Sequence, residues 1–346
     1  MTRNDREGDY FALISKGLEA RTLEHSTDLG LAHAEANRSF MEKTVKQLIG
    51  AEKGRDVLVV SGGPSLHRRQ SIERIKPVAD RFVVVAADGT MGHCLRAGIT
   101  PDYVLSADPD RTRIVRWFGD DNLTEEKLSD DYFRRQDLDE HFNRDEIAKN
   151  EDQIRLVNAA GPGIKAVLST GACEGVRRRC FNSGMDVYWW NPIYDDVSDP
   201  ASLTRQLFES NKVPCMNTGG NVGTAATIFA ARILGAARVV MLGMDFAYYG
   251  DTPYERTQYY DQFREFMPEE EISHAFKHIH NPVIGGDYFT DPAYYWYREA
   301  FFEFAESMGG CELINATEGG ILFGENITCR TVDDVIEFMT SEGTDK

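Results

Sequence analysis

The hydrophobic pattern of the chain consists of short apolar runs separated by longer segments of mixed character. Runs rich in valine, leucine and aromatic residues occur at residues 57–60, 82–86, 103–107, 185–190 and 238–242. Short apolar runs bounded by turn residues are typical of strands that are buried on both faces of a parallel sheet. Their alternation with helical segments predicts right-handed crossovers. We therefore expect an α/β fold with a Rossmann-like, mostly parallel sheet and helices on both faces.

The predicted nucleotide-binding body covers residues 53–330 and contains further elements. Residues 154–159 and 312–315 predict strands, whereas residues 91–97 and 294–308 have the spacing of helices. All of these elements fit the same α/β architecture.

Two flanking segments and two insertions are predicted around this body. Residues 1–52 predict an N-terminal helical segment, and residues 331–346 predict a closing helix with a tail. Residues 111–152 are densely charged and too long for an ordinary loop, so they predict a helical insertion that acts as a lid or an oligomer contact, or is merely solvated. Residues 251–290 predict a lid-like region. The buried stripe expected in the first segment consists of Phe40, Val45, Leu48 and Ile49.

The first strand, at residues 57–60, runs directly into a glycine-rich turn that precedes a helix-compatible segment. The turn consists of Ser61, Gly62, Gly63, Pro64 and Ser65. Such a turn leaves backbone N–H groups near the positive end of a helix dipole, where they bind phosphate. The pattern is neither the full G-x-G-x-x-G fingerprint nor a P-loop. A simple connection between strand and helix is the alternative interpretation.

Polar and glycine residues also follow the other predicted strands. In an open parallel sheet the carboxyl ends of the strands form the ligand crevice, so these residues are expected to meet there. The carboxylates suit ribose hydroxyls, a base edge or a metal ion, although a turn or cap role also explains those at the second and third strands. Gly-x-Asp directly after a hydrophobic strand favours function for Asp245. The set comprises Asp88, Gly89, Asp108, Asn217, Thr218, Gly219, Gly220 and Asp245.

A cluster of titratable residues lies between residues 248 and 280. His274 and His278 are four residues apart and share a face if the segment is helical. One of them is a candidate general base, with Tyr248 and Tyr249 as candidate donors to a leaving group. An exposed polar loop is the alternative. A zinc site is less well supported, because the chain contains no H-E-x-x-H pattern and no cysteine partner for these residues.

Composition narrows the class of partner. The net charge is -18 and the sequence pI is about 4.9, which argues against nucleic acid or an anionic membrane as the main partner. The six cysteines are scattered without a C-x-x-C pair, as expected for free thiols in a reducing compartment. We also find no apolar run of about 18 residues and no signal peptide. These features predict a cytoplasmic protein.

Several motifs in order resemble one superfamily. They are Ser61-Gly62-Gly63-Pro64-Ser65-Leu66, Asp88-Gly89, Thr218-Gly219-Gly220-Asn221-Val222-Gly223, Gly243-Met244-Asp245-Phe246 and Asn315-Ala316-Thr317-Glu318-Gly319-Gly320. The superfamily contains the motility accessory factor (Maf) glycosyltransferases and the MptE-like 6-hydroxymethylpterin diphosphokinases. The early and late blocks are also similar to bacterial CMP-sialic acid sialyltransferases. The resemblance covers roughly residues 55–325.

The resemblance implies roles for the motif residues. The turn at residues 62–65 would lie against the nucleotide phosphate, and Asp88 would contact the nucleotide. Thr218 and Gly219 would line the cytidine side. The stretch after Asp245 would supply hydroxyl groups and the histidine base.

Three functions follow from this resemblance and the residues. The first is transfer of a nonulosonic (sialic-like) sugar from a CMP-sugar donor to a glycan, protein or small-molecule acceptor, without a tightly bound metal. The second is diphosphoryl transfer from Mg-ATP to a hydroxymethylpterin, in which Asp88 and Asp108 would hold the metal. The third is a nucleotide-binding module without catalysis. The late sequence blocks favour the first, and a homo-oligomer is compatible with all three.

Overall fold

The computed structural model describes residues 27–111, 113–123 and 146–341. Two layers of helices enclose a nine-stranded sheet, and a three-stranded sheet lies beside them. The strands of the large sheet are β1 (Asp56–Val60), β2 (Val83–Ala87), β3 (Tyr103–Ser106), β4 (Lys165–Ser169), β5 (Asp186–Pro192), β6 (Cys215–Met216), β7 (Arg238–Leu242), β11 (Glu312–Asn315) and β12 (Thr328–Cys329); those of the small sheet are β8 (Tyr248–Tyr249), β9 (Lys277–His280) and β10 (Asp287–Thr290).

The helices connect these strands. Helix α1 covers residues 27–37 of the described chain. The others are α2 (Ser65–Arg68), α3 (Ser71–Ile75), α4 (Asp88–Arg96), α5 (Arg113–Trp117), α6 (Glu146–Ala160), α7 (Glu174–Asn182), α8 (Leu203–Asn211), α9 (Val222–Ile228, continued by a π-helix Phe229–Leu234), α10 (Tyr260–Phe266), α11 (Pro292–Glu306) and α12 (Val332–Ser341). Within the described ranges, no helix has both the length and the apolar character needed to cross a membrane.

The large sheet is parallel throughout its strand pairs, in the order β12-β11-β7-β1-β2-β3-β4-β5-β6. The chain builds outward from β1 to β6 on one side, then crosses to the other side of β1 and adds β7. The boundary between β1 and β7 is therefore the topological switch point, where open α/β sheets bind ligands beyond the carboxyl ends of their strands.

Side-chain alternation explains how β1 holds two helix layers. Leu58 and Val60 pack into the apolar cluster that contains residues of α3, α4, α6, α7 and α12. Val57 and Val59 point to the opposite face and pack with α9 and α11. Successive residues of a strand face opposite sides, so a continuous valine-rich run serves both layers. The predicted α/β fold with helices on both faces is confirmed.

The small sheet has the order β8-β10-β9 with antiparallel pairs. Its own apolar cluster contains Tyr248, Phe263, Phe276 and Phe289, all of them buried. Most of the predicted lid-like region 251–290 thus folds as a satellite with a separate core. Its action as a lid stays a prediction.

Three predictions about local structure are wrong. Residues 154–159 belong to helix α6 and not to a strand, because the buried side chains Gln153 and Val157 follow a helical repeat while residues 155, 158 and 159 are exposed. The strand lies at β4, directly after a Gly-Pro-Gly turn. Phe40 and Ile49 are 41% and 64% exposed, since short 3-10 turns replace the expected single amphipathic helix.

Parts of three predicted segments lie outside the described residues. These are residues 1–26 of the N-terminal segment, residue 112 and residues 124–145 of the charged insertion, and residues 342–346 of the predicted C-terminal tail. Val45 and Leu48 are buried as expected.

Candidate functional site

The carboxyl ends of β1, β7 and β11 meet around one buried carboxylate at the switch point. We call this group the Asp245 cluster, defined as Gly63, Ser65, Asp245, Tyr249 and Gly319. Asp245 follows β7 and is 2% exposed. Ser65 follows β1, and Gly319 follows β11. The cluster unites three segments that are far apart in sequence, and of the polar set predicted at the other strand ends it contains Asp245.

Asp245 is held mainly by Ser65. The Ser65 hydroxyl donates a hydrogen bond to Asp245 Oδ2 at 2.7 Å. The Ser65 backbone N–H also donates to both carboxylate oxygens, at 3.3 Å each. These bonds link the turn after β1 to the loop after β7, and they satisfy a carboxylate that would otherwise be costly to bury.

Glycines allow the three loops to approach this closely. A Cβ on Gly63 would collide with the Asp245 carboxylate and lie 2.5 Å from the carbonyl oxygen of Gly243. A Cβ on Gly319 would lie 2.7 Å from Tyr249 Oη, 2.8 Å from Ser65 Cβ and 2.9 Å from Asp245 Oδ1. Gly63 and Gly319 are therefore explained by the close packing of the loops around Asp245.

Two residues beside the cluster have strained backbone. Phe246 and Glu318 have φ values of 51° and 54°, in the left-handed region that bulky side chains rarely adopt. Such strain costs on the order of 1–3 kcal/mol per residue and persists where the surrounding structure enforces it, commonly at functional sites. Asp245 and its loops are thus fixed in position.

Burial raises the pKa of Asp245 to about 7, whereas the hydrogen bonds from Ser65 and the charges of Arg68 and Arg69 act in the opposite direction. A carboxyl group with a pKa near neutrality changes its protonation state readily at physiological pH. Burial, followed by the charge of Asp245, also raises the pKa of Tyr249. The carboxylate and the phenol are therefore electrostatically coupled.

Two arginines bring positive charge to this site in an otherwise acidic chain. The Arg68 guanidinium lies 4.2 Å from the centre of the Tyr249 ring and forms a 2.8 Å ion pair with Asp251. Arg69 Nε donates to the Glu318 carbonyl oxygen at 3.0 Å. We did not single out these residues from the sequence. Their signal was an Arg-Arg pair three residues beyond the Gly-Gly-Pro-Ser turn.

The turn after β1 does not present the expected set of phosphate donors. The Gly63 N–H donates to the Gly243 carbonyl at 2.9 Å, and the Leu66 N–H donates to the Gly63 carbonyl at 3.1 Å. The Ser65 N–H donates to the Asp245 carboxylate, and Pro64 has no N–H. The following helix, α2, has only four residues. Gly62 is exposed and is the turn residue left for a backbone contact with a ligand.

The second glycine-rich turn lies next to the first. A Cβ on Gly223 would lie 2.7 Å from Ser61 Oγ and 2.7 Å from Met244 Sδ. Ser61 Oγ is buried and has no hydrogen-bond partner among the described residues. Two N–H groups of this turn are again satisfied internally, since Gly219 donates to Asn217 Oδ1 and Gly220 donates to Thr218 Oγ1.

Asp88 and Asp108 follow the neighbouring strands β2 and β3. Asp88 is 5% exposed and accepts hydrogen bonds from Gly89 N at 2.8 Å and from Ser106 Oγ at 2.7 Å. Asp108 is half-buried and accepts one from Asp110 N at 2.8 Å. The residues described here contain no group of three histidine, cysteine or acidic side chains arranged to hold a metal ion.

The remaining predicted residues lie in the satellite. The Tyr248 hydroxyl donates to Asp291 Oδ2 at 3.0 Å and accepts from Gln258 N at 3.1 Å within the small core. His274 is in a 3-10 turn, whereas His278 is exposed on β9 and lies 3.0 Å from Tyr254 Oη. The segment that contains the two histidines is not a single helix, so His274 and His278 do not share a helical face. None of their described hydrogen bonds reaches the Asp245 cluster.

Two surface grooves lie outside the cluster. One is between helices α1 and α8, and the other is beside the starts of β11 and β12. Neither lining includes a predicted site residue, so the case for the Asp245 cluster rests on the convergence of strand ends.

Two comparisons with known proteins bear on the family resemblance and on the fold. A family model described as 6-hydroxymethylpterin diphosphokinase MptE-like matches residues 32–123. The structure of the Maf glycosyltransferase from Magnetospirillum magneticum AMB-1 resembles the chain with a TM-score of 0.51 and 17% sequence identity, over 88% of this chain and 41% of that one. The predicted resemblance to the Maf and MptE-like superfamily is confirmed.

The two comparisons cover different parts of the chain. The MptE-like match includes the turn at residues 62–65 together with Asp88 and Asp108. The Maf match supports the fold, and the chain accounts for less than half of that protein's length. No curated protein shows significant similarity to the chain.

Proposed function

We propose that the protein is a transferase that binds a nucleotide-activated donor at the Asp245 cluster, with a CMP-activated nonulosonic sugar as the donor. The observation that carries this proposal is the cluster itself. A buried carboxyl group with a pKa of about 7 lies at the topological switch point, beside two arginines. This position and chemistry suit an anionic, nucleotide-linked substrate.

The roles within the proposed site follow from exposure. Arg68 and Arg69 are exposed and would contact the phosphate and the sugar carboxylate. Asp245 is almost fully buried, so the packing favours a positioning role in which it holds Ser65 and, through its charge, tunes Tyr249. The acceptor hydroxyl loses its proton as the glycosidic bond forms and CMP leaves. From the sequence, the candidate general base for this proton is His274 or His278.

The comparisons favour glycosyl transfer over diphosphoryl transfer. The Maf match extends over 88% of this chain, whereas the MptE-like match covers residues 32–123.

A thermal-shift panel with CMP, CDP, ATP and GTP, each with and without Mg²⁺, tests the proposal. We expect cytidine nucleotides to raise the melting temperature without Mg²⁺, because binding to the native state alone stabilises it. A shift with Mg-ATP only would reject the CMP-sugar donor. Binding of CMP without transfer from any CMP-sugar would reject the transferase and support a nucleotide-binding module without catalysis.

Diphosphoryl transfer from Mg-ATP is the second candidate, because the MptE-like match contains both Asp88 and Asp108. Mg²⁺ is commonly bound by one or two carboxylates together with substrate phosphates. If this candidate is correct, Asp108→Asn should abolish stabilisation by Mg-ATP. If the CMP-sugar proposal is correct, the same variant should keep its stabilisation by CMP in the presence of a chelator.

A further inference from the structure

An exposed aromatic surface lies on the second glycine-rich turn. Trp296, on helix α11, is 49% exposed, although its ring lies close to the backbone of Gly220. A Cβ on Gly220 would lie 2.5 Å from Trp296 Cζ3 and would collide with the Tyr297 ring. The Gly220 backbone therefore packs directly on these two rings.

The two rings are held in place by their surroundings. Trp296 and Tyr297 pack edge to face with centroids 5.6 Å apart. The Tyr297 and Tyr259 hydroxyls are 3.1 Å apart and share a hydrogen bond. Asp291 caps the start of the helix by accepting from Tyr294 N at 2.8 Å. A surface fixed in this way loses little conformational freedom when a ligand binds.

This surface is connected to the Asp245 cluster through the turn beneath it. The turn leads into α9, where Gly223 packs against Ser61 and Met244. Ser61 precedes the Gly62-Gly63 turn, and Met244 precedes Asp245. The aromatic surface is thus linked by packed residues to the turn after β1, beside which the proposed function places the donor phosphate.

Trp296 differs from the other tryptophans. Trp189 and Trp190 are 0% exposed, and Trp117 is partly buried in the core. Large exposed apolar side chains are informative when they border a polar site, because aromatic rings supply contact area for planar ligands.

We propose that Trp296 stacks on the nucleobase of the donor nucleotide, which places the base on the turn at residues 218–220 and the phosphate at Arg68 and Arg69. This inference rests on the proposed function. The resemblance already implies that Thr218 and Gly219 line the cytidine side, and the inference adds the ring that stacks on the base. Stacking recognises the face of the base, so the edge contacts that select cytosine would come from the exposed Asn217 and from Thr218.

Nucleotide affinity of Trp296 variants tests the subsite. Trp296→Ala should weaken CMP binding by about ten- to a hundredfold, the range typical for loss of one base-stacking ring, whereas Trp296→Phe should stay within about threefold of wild type. Phe208→Ala is the matched control, because Phe208 is 42% exposed on the remote helix α8. Ribose 5-phosphate has no base, so its affinity should not respond to Trp296→Ala.

Fluorescence of the unmodified protein gives a second test that needs no variant to fold. CMP should quench the emission of the exposed tryptophan and protect it from acrylamide, and ribose 5-phosphate should do neither. Unchanged CMP affinity in Trp296→Ala, or a change in oligomeric state without a change in affinity, would overturn the stacking subsite and leave the proposed function intact. Failure of the wild type to bind any nucleotide would overturn both.

Discussion

The Asp245 cluster and the satellite sheet both contain titratable groups, but they treat those groups in opposite ways. In the cluster, a single carboxyl group is buried, and its pKa is raised to about 7. In the satellite, His278 and His280 are exposed on β9 and make side-chain contacts with Tyr254 and Asp287. From the sequence, the candidate general base was a histidine of the satellite, whereas Asp245 was a candidate functional residue without a role in proton transfer.

The difference shows that the environment of a titratable group affects its pKa as strongly as its residue type does. Histidine is the usual general base near neutral pH. Here the buried carboxyl group has acquired a comparable pKa through desolvation, and it lies where three strand ends converge. The histidines keep solvent contact at the edge of a small separate core. We therefore propose the Asp245 cluster as the site.

The largest expected effect on stability and nucleotide binding comes from adding a methyl group inside the Asp245 cluster. Gly63→Ala would drive a methyl group into the Asp245 carboxylate and the Gly243 carbonyl. Because the second obstacle is backbone, relief requires movement of a loop. We expect a loss of roughly 1–3 kcal/mol in the free energy of unfolding, typical of overpacking, together with loss of nucleotide binding. Denaturant unfolding measures the first and calorimetry the second.

Gly309→Ala is the control for this prediction. Nothing lies within 4 Å of a Cβ at Gly309, and its φ is not in the left-handed region. It should leave nucleotide binding unchanged and stabilise the protein slightly, by about 0.4–1 kcal/mol at most. Equal effects of the two substitutions would show that the cluster is not tightly packed.

A smaller effect is expected from Asp245→Asn, and it should depend on pH. The native pKa of Asp245 is raised above its ordinary value of 3.8. The native state therefore holds the proton more tightly, and this stabilisation is present below about pH 4 and lost as the pH rises through about 7. The stability of wild type should fall relative to the asparagine variant across that window.

Melting curves of both proteins between pH 4 and pH 8 measure this difference. The raised pKa of Asp291, about 6, is present in both proteins and cancels in the comparison. Parallel pH profiles would mean that Asp245 is not protonated in the native state near neutrality.

The smallest effects are expected in the satellite. His274→Ala and His278→Ala should each change stability by less than about 0.5 kcal/mol, as surface substitutions usually do. They should change kcat/KM for transfer by less than about threefold. A loss of kcat of a hundredfold or more in either variant would identify that histidine as the general base and would contradict a site confined to the Asp245 cluster.

The strands of the large sheet followed mainly from the sequence, because valine-rich runs ending in glycine or aspartate are strong local signals. Strand order did not follow, since pairing of β7 beside β1 is a contact between residues far apart in the chain. Residues 154–159 were misassigned because a short apolar run does not distinguish a strand from a helix packed on a sheet.

The sequence pointed to Gly63 and Asp245 as residues at strand ends, but not to the arginines beside them or to the hydrogen bonds that join the loops. The motifs around Gly63 and Asp245 located the convergence, since both follow hydrophobic strands. The sequence could not show that the Ser65 N–H and the Gly63 N–H are donated internally, because their acceptors lie about 180 residues away in the chain. The position of Arg69 beside the cluster could not be predicted for the same reason, because its hydrogen-bond partner, the Glu318 carbonyl oxygen, is also far away in the chain.

Calorimetric titration of CMP into wild type, Arg69→Ala and Arg155→Ala tests the central claim most directly. Arg155 is the matched control, because its side chain is 76% exposed on helix α6. We predict that CMP binds to wild type and to Arg155→Ala with equal affinity, and at least about tenfold more weakly to Arg69→Ala, as expected for loss of a charged hydrogen bond. Equal affinity in all three proteins would contradict a nucleotide site at the Asp245 cluster.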